Sequence, residues 1–358
     1  MKIFVVNSKN RIKNGQETVT QRNMELLKQH FGYTNICEYN IYNYSSKFFI
    51  FLYSLIGYCG GLTPKMKKHI RTKVLLGNYD YLFIDSSGYS SLVKYLQKYI
   101  KIIVMFHNVE VNIFLDKQKN IFFLKKLGYI PIIGIMFYSE MMAIKYSNKV
   151  ITLNKRDSDE LFRIYKRKAD YILPVSLNDS FDINKAELYD KVDNTRKILF
   201  VGGDFFGNTE GLFWFIEECM NEINAELIIV GHGMERYQNK YQNKKVQFVG
   251  YVSDIGLYYY DADVVVLPII SGSGMKTKTC EALMYGKTMF GTTEAFEGYD
   301  YLDVKNNGWL CNTADEFIFK INKYLDEKHS KINIYSRQVF INNYETSKLV
   351  SAMAQIFS

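Results

Sequence analysis

The chain has 358 residues, of which 47% are hydrophobic and 23% charged, and it carries a formal net charge of +8. That length exceeds what one hydrophobic core organises, so two domains are expected, and the apolar content excludes an intrinsically disordered protein. Five cysteines (Cys37, Cys59, Cys219, Cys280, Cys311), scattered and without a Cys-x-x-Cys pair, argue against a disulfide framework or a zinc site and fit a reducing cytosol.

Residues 2–6 read as a first buried strand; their apolar run is too short for a signal-peptide core, and no window of about 20 uninterrupted apolar residues suggests a spanning helix. Val19, Met24, Leu27 and Phe31 fall at helical spacing after the Asn14-Gly15 turn, and residues 35–41 read as a second strand. Residues 48–58 then run without a charge, and Pro64 is followed by Lys65, Lys67, Lys68, His69, Arg71 and Lys73 with no acid among them. Such a block over 47–73 is either a core helix beside a solvated one or a membrane-interface element with its lysines on anionic lipid, each worth roughly 1 kcal/mol there.

Residues 81–84 and 102–106 read as buried strands. The first ends at Asp85-Ser86-Ser87-Gly88 and the second at His107-Asn108-Val109-Glu110. Polar groups just past parallel strand ends face the crevice where ligands bind in open α/β sheets, so His107, Asn108 and Glu110 are site candidates. Residues 120–147 are mostly apolar around Gly128 and Pro131, either buried helices or a second interfacial element. A strand at 149–153, a helix opening at Asn154 and a strand at 171–173 before Pro174 complete the first domain. Residues 1–179 hold 27 basic and 13 acidic residues, net +14, and the remainder 18 and 24, net −6. The basic half suits an anionic surface; no zinc-finger or RNP signature points to nucleic acid.

Residues 178–196 are polar and read as a linker. Thereafter strands recur at 197–201, 226–230, 246–249, 263–267 and 288–290, spaced as βα units of a parallel sheet. Several end at glycine (Gly202-Gly203, Gly231, Gly250, Gly291), which permits close approach of backbone to a ligand. The Asp261-Ala262-Asp263 pair precedes a buried strand and reads as its cap, and no metal site is expected. Pro268 ends the fourth of these strands, Gly272-Ser273-Gly274-Met275 follows, and Lys276 and Lys278 open a helix that carries Glu281. The free N–H groups and positive dipole end of that helix suit an anion, and Glu281 can accept from vicinal hydroxyls such as those of a ribose. The spacing matches neither the P-loop nor the dinucleotide fingerprint.

The run Gly272 to Lys278, with Glu281-Ala282-Leu283, Tyr285-Gly286-Lys287, Gly291-Thr292 and Glu297-Gly298, resembles the donor-binding segment of family 4 glycosyltransferases with the GT-B fold, of the bacterial surface-polysaccharide type. The resemblance covers most of the second half well and the first half loosely. It implies an α/β protein of two Rossmann-like, doubly wound parallel-sheet domains facing a central cleft, divided as 1–178, 179–335 and a terminal helix at 336–358 that crosses back to the first domain. It also implies a nucleoside-diphosphate sugar, UDP- or GDP-linked, as donor substrate, with no cofactor. Catalysis would rest on His107, Lys276, Lys278 and Glu281. Donor contacts would come from Gly202, Gly203, Gly250, Tyr251, Gly272, Ser273, Gly274 and Met275, with Gly15, Asn108 and Glu110 on the acceptor side. The implied activity is retaining glycosyl transfer, for which no metal is required. The basic charge of the first half and its interfacial stretch favour a lipid-linked glycan acceptor at the cytoplasmic face of the membrane, with Lys65, Lys67, Lys68 and Arg71 at the interface. Two departures stand out. Ser273 occupies the position, eight before Glu281, where many members carry a glutamate, and Asp204 to Asn208 stands where a basic residue often follows the first glycine turn. These departures leave open a non-catalytic partner subunit with the same fold, and the residues themselves leave open an inverting enzyme with Asp85, His107 or Glu110 as base.

Overall fold

The computed structural model describes residues 1–9, 15–42, 52–119, 123–190, 196–241, 245–327 and 329–358. Two compact units divide the chain: Met1–Pro174 with Leu349–Ser358, and Val175–Lys348.

The first unit contains strands β1 (Ile3–Lys9), β2 (Ile36–Tyr42), β3 (Tyr81–Ile84), β4 (Lys101–Phe106), β5 (Lys149–Thr152) and β6 (Tyr171–Ile172), all parallel in the order β2-β1-β3-β4-β5-β6. The central strands are uninterrupted apolar runs because helices cover both faces of a parallel sheet; every residue of β3 and all of β4 after Lys101 are buried. Helix α1 (Gly15–Phe31) buries Val19, Met24, Leu26 and Leu27. Helix α2 (Pro64–Leu76) starts where the Thr63 side chain accepts from the Met66 N–H and Pro64 fixes the first turn. It turns Ile70 and Val74 inward and leaves Lys65, Lys68, His69 and Lys73 exposed, with Lys67 and Arg71 half-buried. Helices α3 (Ser90–Leu96), α4 (Glu110–Lys119), α5 (Phe123–Tyr146) and α6 (Lys155–Tyr165) complete the layers.

Helix α5 divides along its length. Ile130, Phe137 and Tyr138 are exposed, whereas Ser139, Glu140, Met142, Ala143 and Ile144 are buried. Among the described residues no helix is long and apolar enough to cross a membrane. The uncharged run 48–58 lies outside the described residues up to 51.

The second unit contains β7 (Lys197–Val201), β8 (Glu226–Val230), β9 (Val246–Gly250), β10 (Val264–Leu267), β11 (Thr288–Gly291) and β12 (Gly308–Leu310), again all parallel, in the order β12-β11-β10-β7-β8-β9. Strand β12 was not expected. Its three residues are too few to make a pattern, and Gly308 is required there because a Cβ would stand 2.0 Å from the Met289 carbonyl oxygen of β11.

Two expectations need correction. The polar stretch 178–196 is not only a linker, since it carries helix α7 (Ile183–Asp190), anchored where the Asp182 N–H donates to the Tyr260 hydroxyl and the Tyr189 ring stacks on Tyr260; residues 191–195 lie outside the description. The segment 336–358 is not one helix. Helical turns at Ile334–Val339, Phe340–Tyr344 and Thr346–Leu349 precede α12 (Val350–Ile356), numbered after the four helices below, and extended Glu345 interrupts them where Leu177 pairs with it. Helix α12 belongs to the first unit: it packs on α1, the Phe357 ring meets Phe31, Tyr81 and Phe83, and Lys149 Nζ donates to the Ile356 and Ser358 carbonyls.

Helices α8 (Phe206–Glu218), α9 (Gly256–Asp261), α10 (Thr277–Met284) and α11 (Ala314–Asp326) flank the second sheet. Asp263 and Asp261 serve its N-terminal edge, accepting from the Lys197 N–H at 2.7 Å and Lys197 Nζ at 2.9 Å. All five cysteines are free thiols, four of them buried.

Candidate functional site

The strand order of the second unit reverses between β7 and β10, and ligands of open α/β sheets bind beyond the strand ends at such a switch point. Two glycine turns meet this requirement there. After β7 comes Gly202-Gly203, with its backbone packed against the next turn so closely that a Cβ on Gly231 would stand 2.0 Å from the Gly202 oxygen. After β10 comes the loop 268–276, in which Gly272 (φ 151°) and Gly274 (φ 68°) hold backbone that other residues rarely adopt. Helix α10 begins at the end of this loop with Lys276 as its N-cap residue, so its first N–H groups open toward the crevice.

The two lysines are held differently. Lys278 reaches across to the β7 turn, where its Nζ donates to Asn208 Oδ1 at 2.6 Å and lies 3.0 Å from where a Cβ on Gly202 would stand. Asn208 in turn donates to the Gly203 carbonyl at 2.8 Å, fixing the turn to the start of α8. Desolvation pulls the Lys278 ammonium down to about 7, with Lys276 adding to the fall and Glu281 opposing it. Lys276 stays beside its own loop. Its Nζ donates to the Gly274 carbonyl at 3.0 Å, the Ser273 carbonyl at 3.3 Å and Glu294 Oε1 at 2.7 Å. Glu281 accepts from the Tyr259 hydroxyl at 3.2 Å, and Tyr259 stacks on Tyr285 at 4.6 Å. Burial, reinforced by the Glu281 charge, raises the Tyr259 hydroxyl well above its ordinary range, so it remains a donor.

The structure thus gathers Gly202, Gly203, Gly272, Gly274, Lys276, Lys278 and Glu281 around one switch point. Gly250 (φ 83°) ends β9, two strands away, and Tyr251 beside it is exposed. The Met275 side chain is buried and its sulfur accepts from the Val175 N–H, which makes it a packing residue as well as a loop residue. Residues that the sequence did not single out complete the geometry: Asn208, Tyr259 and Glu294. Glu294 could have been found by the rule that drew attention to His107, since it lies three residues beyond the end of β11. Asp204, at the position that lacks a basic residue, pairs with Arg236 at 2.6 Å and accepts from the Tyr237 hydroxyl at 2.9 Å.

The first unit forms its own polar cluster at strand ends. His107 Nε2 lies 3.1 Å from both Asp85 Oδ1 and the Asp85 carbonyl oxygen; both are acceptors, so Nε2 carries the proton. Asn23 of α1 donates to the same carboxylate oxygen at 2.8 Å, and Asp85 is only 1% exposed. Glu110 and Asn108 lie at the start of α4, whose first N–H groups are capped by buried Glu140: Oε1 accepts from the Glu110 N–H at 2.7 Å, and Oε2 accepts from the Tyr165 hydroxyl at 2.7 Å. Burial pushes the Glu140 carboxyl up to about 7 against the pull of Tyr165 and those N–H groups. Gly15 is the first residue of α1. Among the described residues no group of three or more His, Cys, Asp or Glu side chains is arranged to hold a metal ion.

Residues 195–327 match the family model described as "Glycosyl transferases group 1". No curated protein matches the chain significantly. Among solved structures, sucrose-phosphate synthase from Thermosynechococcus elongatus is similar over 99% of this chain and 98% of its own, with TM-score 0.76 and 13% identity. Anabaena HepE, solved with UDP and glucose, covers the same shares with TM-score 0.68 and 13% identity. A glycosyltransferase from Rickettsia africae does so with TM-score 0.68 and 18% identity. The chain has the GT-B fold, and the stretch matching the group 1 glycosyl transferases is the one that carries the lysines, Glu281 and both glycine turns.

Proposed function

We propose that the chain is a glycosyltransferase that moves a sugar from a nucleoside-diphosphate sugar to a glycan acceptor. The observation that carries this reading is the meeting of Lys278, the Gly202-Gly203 turn and the N-terminus of α10 at the switch point of the second sheet. As the bond from the sugar anomeric carbon to the phosphate oxygen breaks, the leaving diphosphate gathers charge. Donors aimed at it bind the transition state more tightly than the ground state. The acceptor oxygen forms the new bond, and its proton ends on the departing phosphate. Lys278 gains most here, because an ammonium poised near neutrality is drawn to full charge by the arriving anion. The reading requires no metal, and activity persisting after chelation is the expected result. Glu281, fixed by Tyr259, takes the ribose hydroxyls.

Thermal shift with a panel of nucleoside diphosphates, on the wild type and on Glu281→Ala and Lys278→Ala variants, tests the donor site. Stabilisation of the wild type alone is expected. No stabilisation by any diphosphate sinks the reading in favour of a non-catalytic subunit. We propose retention of anomeric configuration on the family resemblance. Asp85 is held by His107 and Asn23 beneath the surface, which disfavours it as the base of an inverting reaction, and the configuration of the product decides.

For the acceptor we propose a lipid-linked glycan met at an anionic membrane face, as in surface polysaccharide assembly. Residues 39–79 and 86–109 contain no Asp or Glu, and the fold brings the two stretches together on α2 and α3. Lys67 Nζ lies over the Tyr58 and Tyr95 rings at 5.3 and 4.5 Å, and Arg71 lies over Tyr95 and Tyr99 at 5.4 and 5.8 Å. Desolvation, with Lys94 nearby, lowers the Lys67 ammonium. Lys65, Lys68, Lys94 and Lys98 are exposed, as are Leu52, Leu55 and Ile56. Basic groups, tyrosines and aliphatic side chains in one patch suit a headgroup region.

A further inference from the structure

The two lysines of the donor site present unequal charge. Lys278 donates to a neutral carboxamide, so an arriving anion meets no carboxylate bonded to it; Lys276 is bonded to a carboxylate, which balances its charge. The Lys276–Glu294 pair is well shielded, with the two side chains 12% and 18% exposed. Glu294 Oε1 also comes within 3.6 Å of where a Cβ on Gly272 would stand, which puts the pair against the glycine loop.

The segment bearing Glu294 is pinned on every side. Thr279 of α10 donates to the Ala295 carbonyl at 2.7 Å, Thr292 donates to the Ile269 carbonyl, and the Thr293 N–H donates to Asn312 at 3.0 Å. Tyr299 donates to the Lys276 carbonyl at 2.6 Å. The pair is therefore preorganised: one acceptor-only carboxylate and one donor-only ammonium, 2.7 Å apart.

We propose that Glu294 is a specificity-determining residue that selects a glycosylated diphosphate over a bare diphosphate or a triphosphate. This rests on the donor reading above. A ligand charged at one end and hydroxylated at the other matches the asymmetry: its diphosphate meets Lys278 and the Gly202 turn, while its sugar hydroxyls donate to Glu294 and accept from Lys276. A terminal phosphate placed at the same point meets the Glu294 carboxylate and is repelled. Sites built to hydrogen-bond a hydroxyl reject ligands that lack it far more strongly than apolar pockets reject a methylene. Ser273, at the position where the resembled family often has a glutamate, leaves Glu294 as the carboxylate held against Lys276.

The test is calorimetric titration of UDP, GDP, UDP-glucose, GDP-glucose and UTP into the wild type, Glu294→Gln and Glu294→Asp, with melting temperatures of the free proteins as a control. Removing the charge of Glu294 is expected to weaken the sugar nucleotide about tenfold or more, the scale of one hydrogen bond to a charged group. The matching diphosphate and triphosphate are expected to bind as well as before or more tightly. Glu294→Asp should retain part of the preference. Equal losses for the sugar nucleotide and the diphosphate, or no change in either, overturn the inference while leaving the donor site standing. A wild type that binds none of the five overturns both.

Discussion

The lysines of α2 and the two at the start of α10 are the same residue type in opposite settings. On α2, Lys65 and Lys68 are exposed, Lys67 and Arg71 lie on tyrosine rings, and no carboxylate is present in the surrounding sequence to balance them. At the proposed donor site Lys278 is bonded to Asn208, and Lys276 to Glu294 and the Ser273 and Gly274 carbonyls. The first arrangement adds up over many weak attractions and suits an extended anionic surface. The second fixes one ammonium to within hydrogen-bond tolerance and suits one group of one ligand. Uncompensated charge is therefore not by itself the mark of a small-molecule site.

Changing Lys65, Lys67 and Lys68 together to Glu tests the extended surface. Three lost attractions of roughly 1 kcal/mol each predict a fall of about a hundredfold in partitioning onto anionic vesicles at low salt. Diphosphate binding should stay unchanged. Wild-type binding that is indifferent to anionic lipid content removes the membrane half of the comparison.

The placed charge should be more local. Replacing Lys278 by Met keeps most of the side-chain volume and removes the ammonium that lies over the Phe200 ring at 4.8 Å, and nucleoside-diphosphate affinity should drop by about ten- to a hundredfold, the range for a hydrogen bond to a charged group. Vesicle binding should not move.

The smallest effect sharpens the same contrast through pH. Lys278 titrates near 7 in the free protein, so above that value it is increasingly neutral and an arriving diphosphate must take up a proton. Diphosphate affinity should fall by up to about tenfold per unit as pH rises above 7, with proton uptake visible as a buffer-dependent binding enthalpy. Vesicle binding through the exposed lysines of α2 should stay flat across this interval. A flat diphosphate profile between pH 7 and 9 would show that Lys278 keeps its proton throughout.

Much of this was readable in the chain itself. Uninterrupted apolar runs such as 102–106 and 264–267 mark strands covered on both faces, and small residues at their ends mark the turns. Gly272 to Glu281 is contiguous, so its loop, helix start and carboxylate could be read from spacing alone. Strand β12 and the broken terminal helix were not legible. One is three residues long, and the other is interrupted because the Leu177 backbone pairs at Glu345, a contact between positions far apart in sequence.

The sequence by itself determined the two α/β halves, the charge difference between them and the pair of lysines where the glycine loop meets α10, because each depends on residues close together in the chain. Only the tertiary structure decided what holds those lysines. Asn208 is 70 residues from Lys278, Glu294 is 18 from Lys276, and the order β12-β11-β10-β7-β8-β9 brings the β7 and β10 turns side by side. Hydrogen bonds and burial act through space, so the partner of a charge, and with it the state of that charge, is fixed by the folded chain.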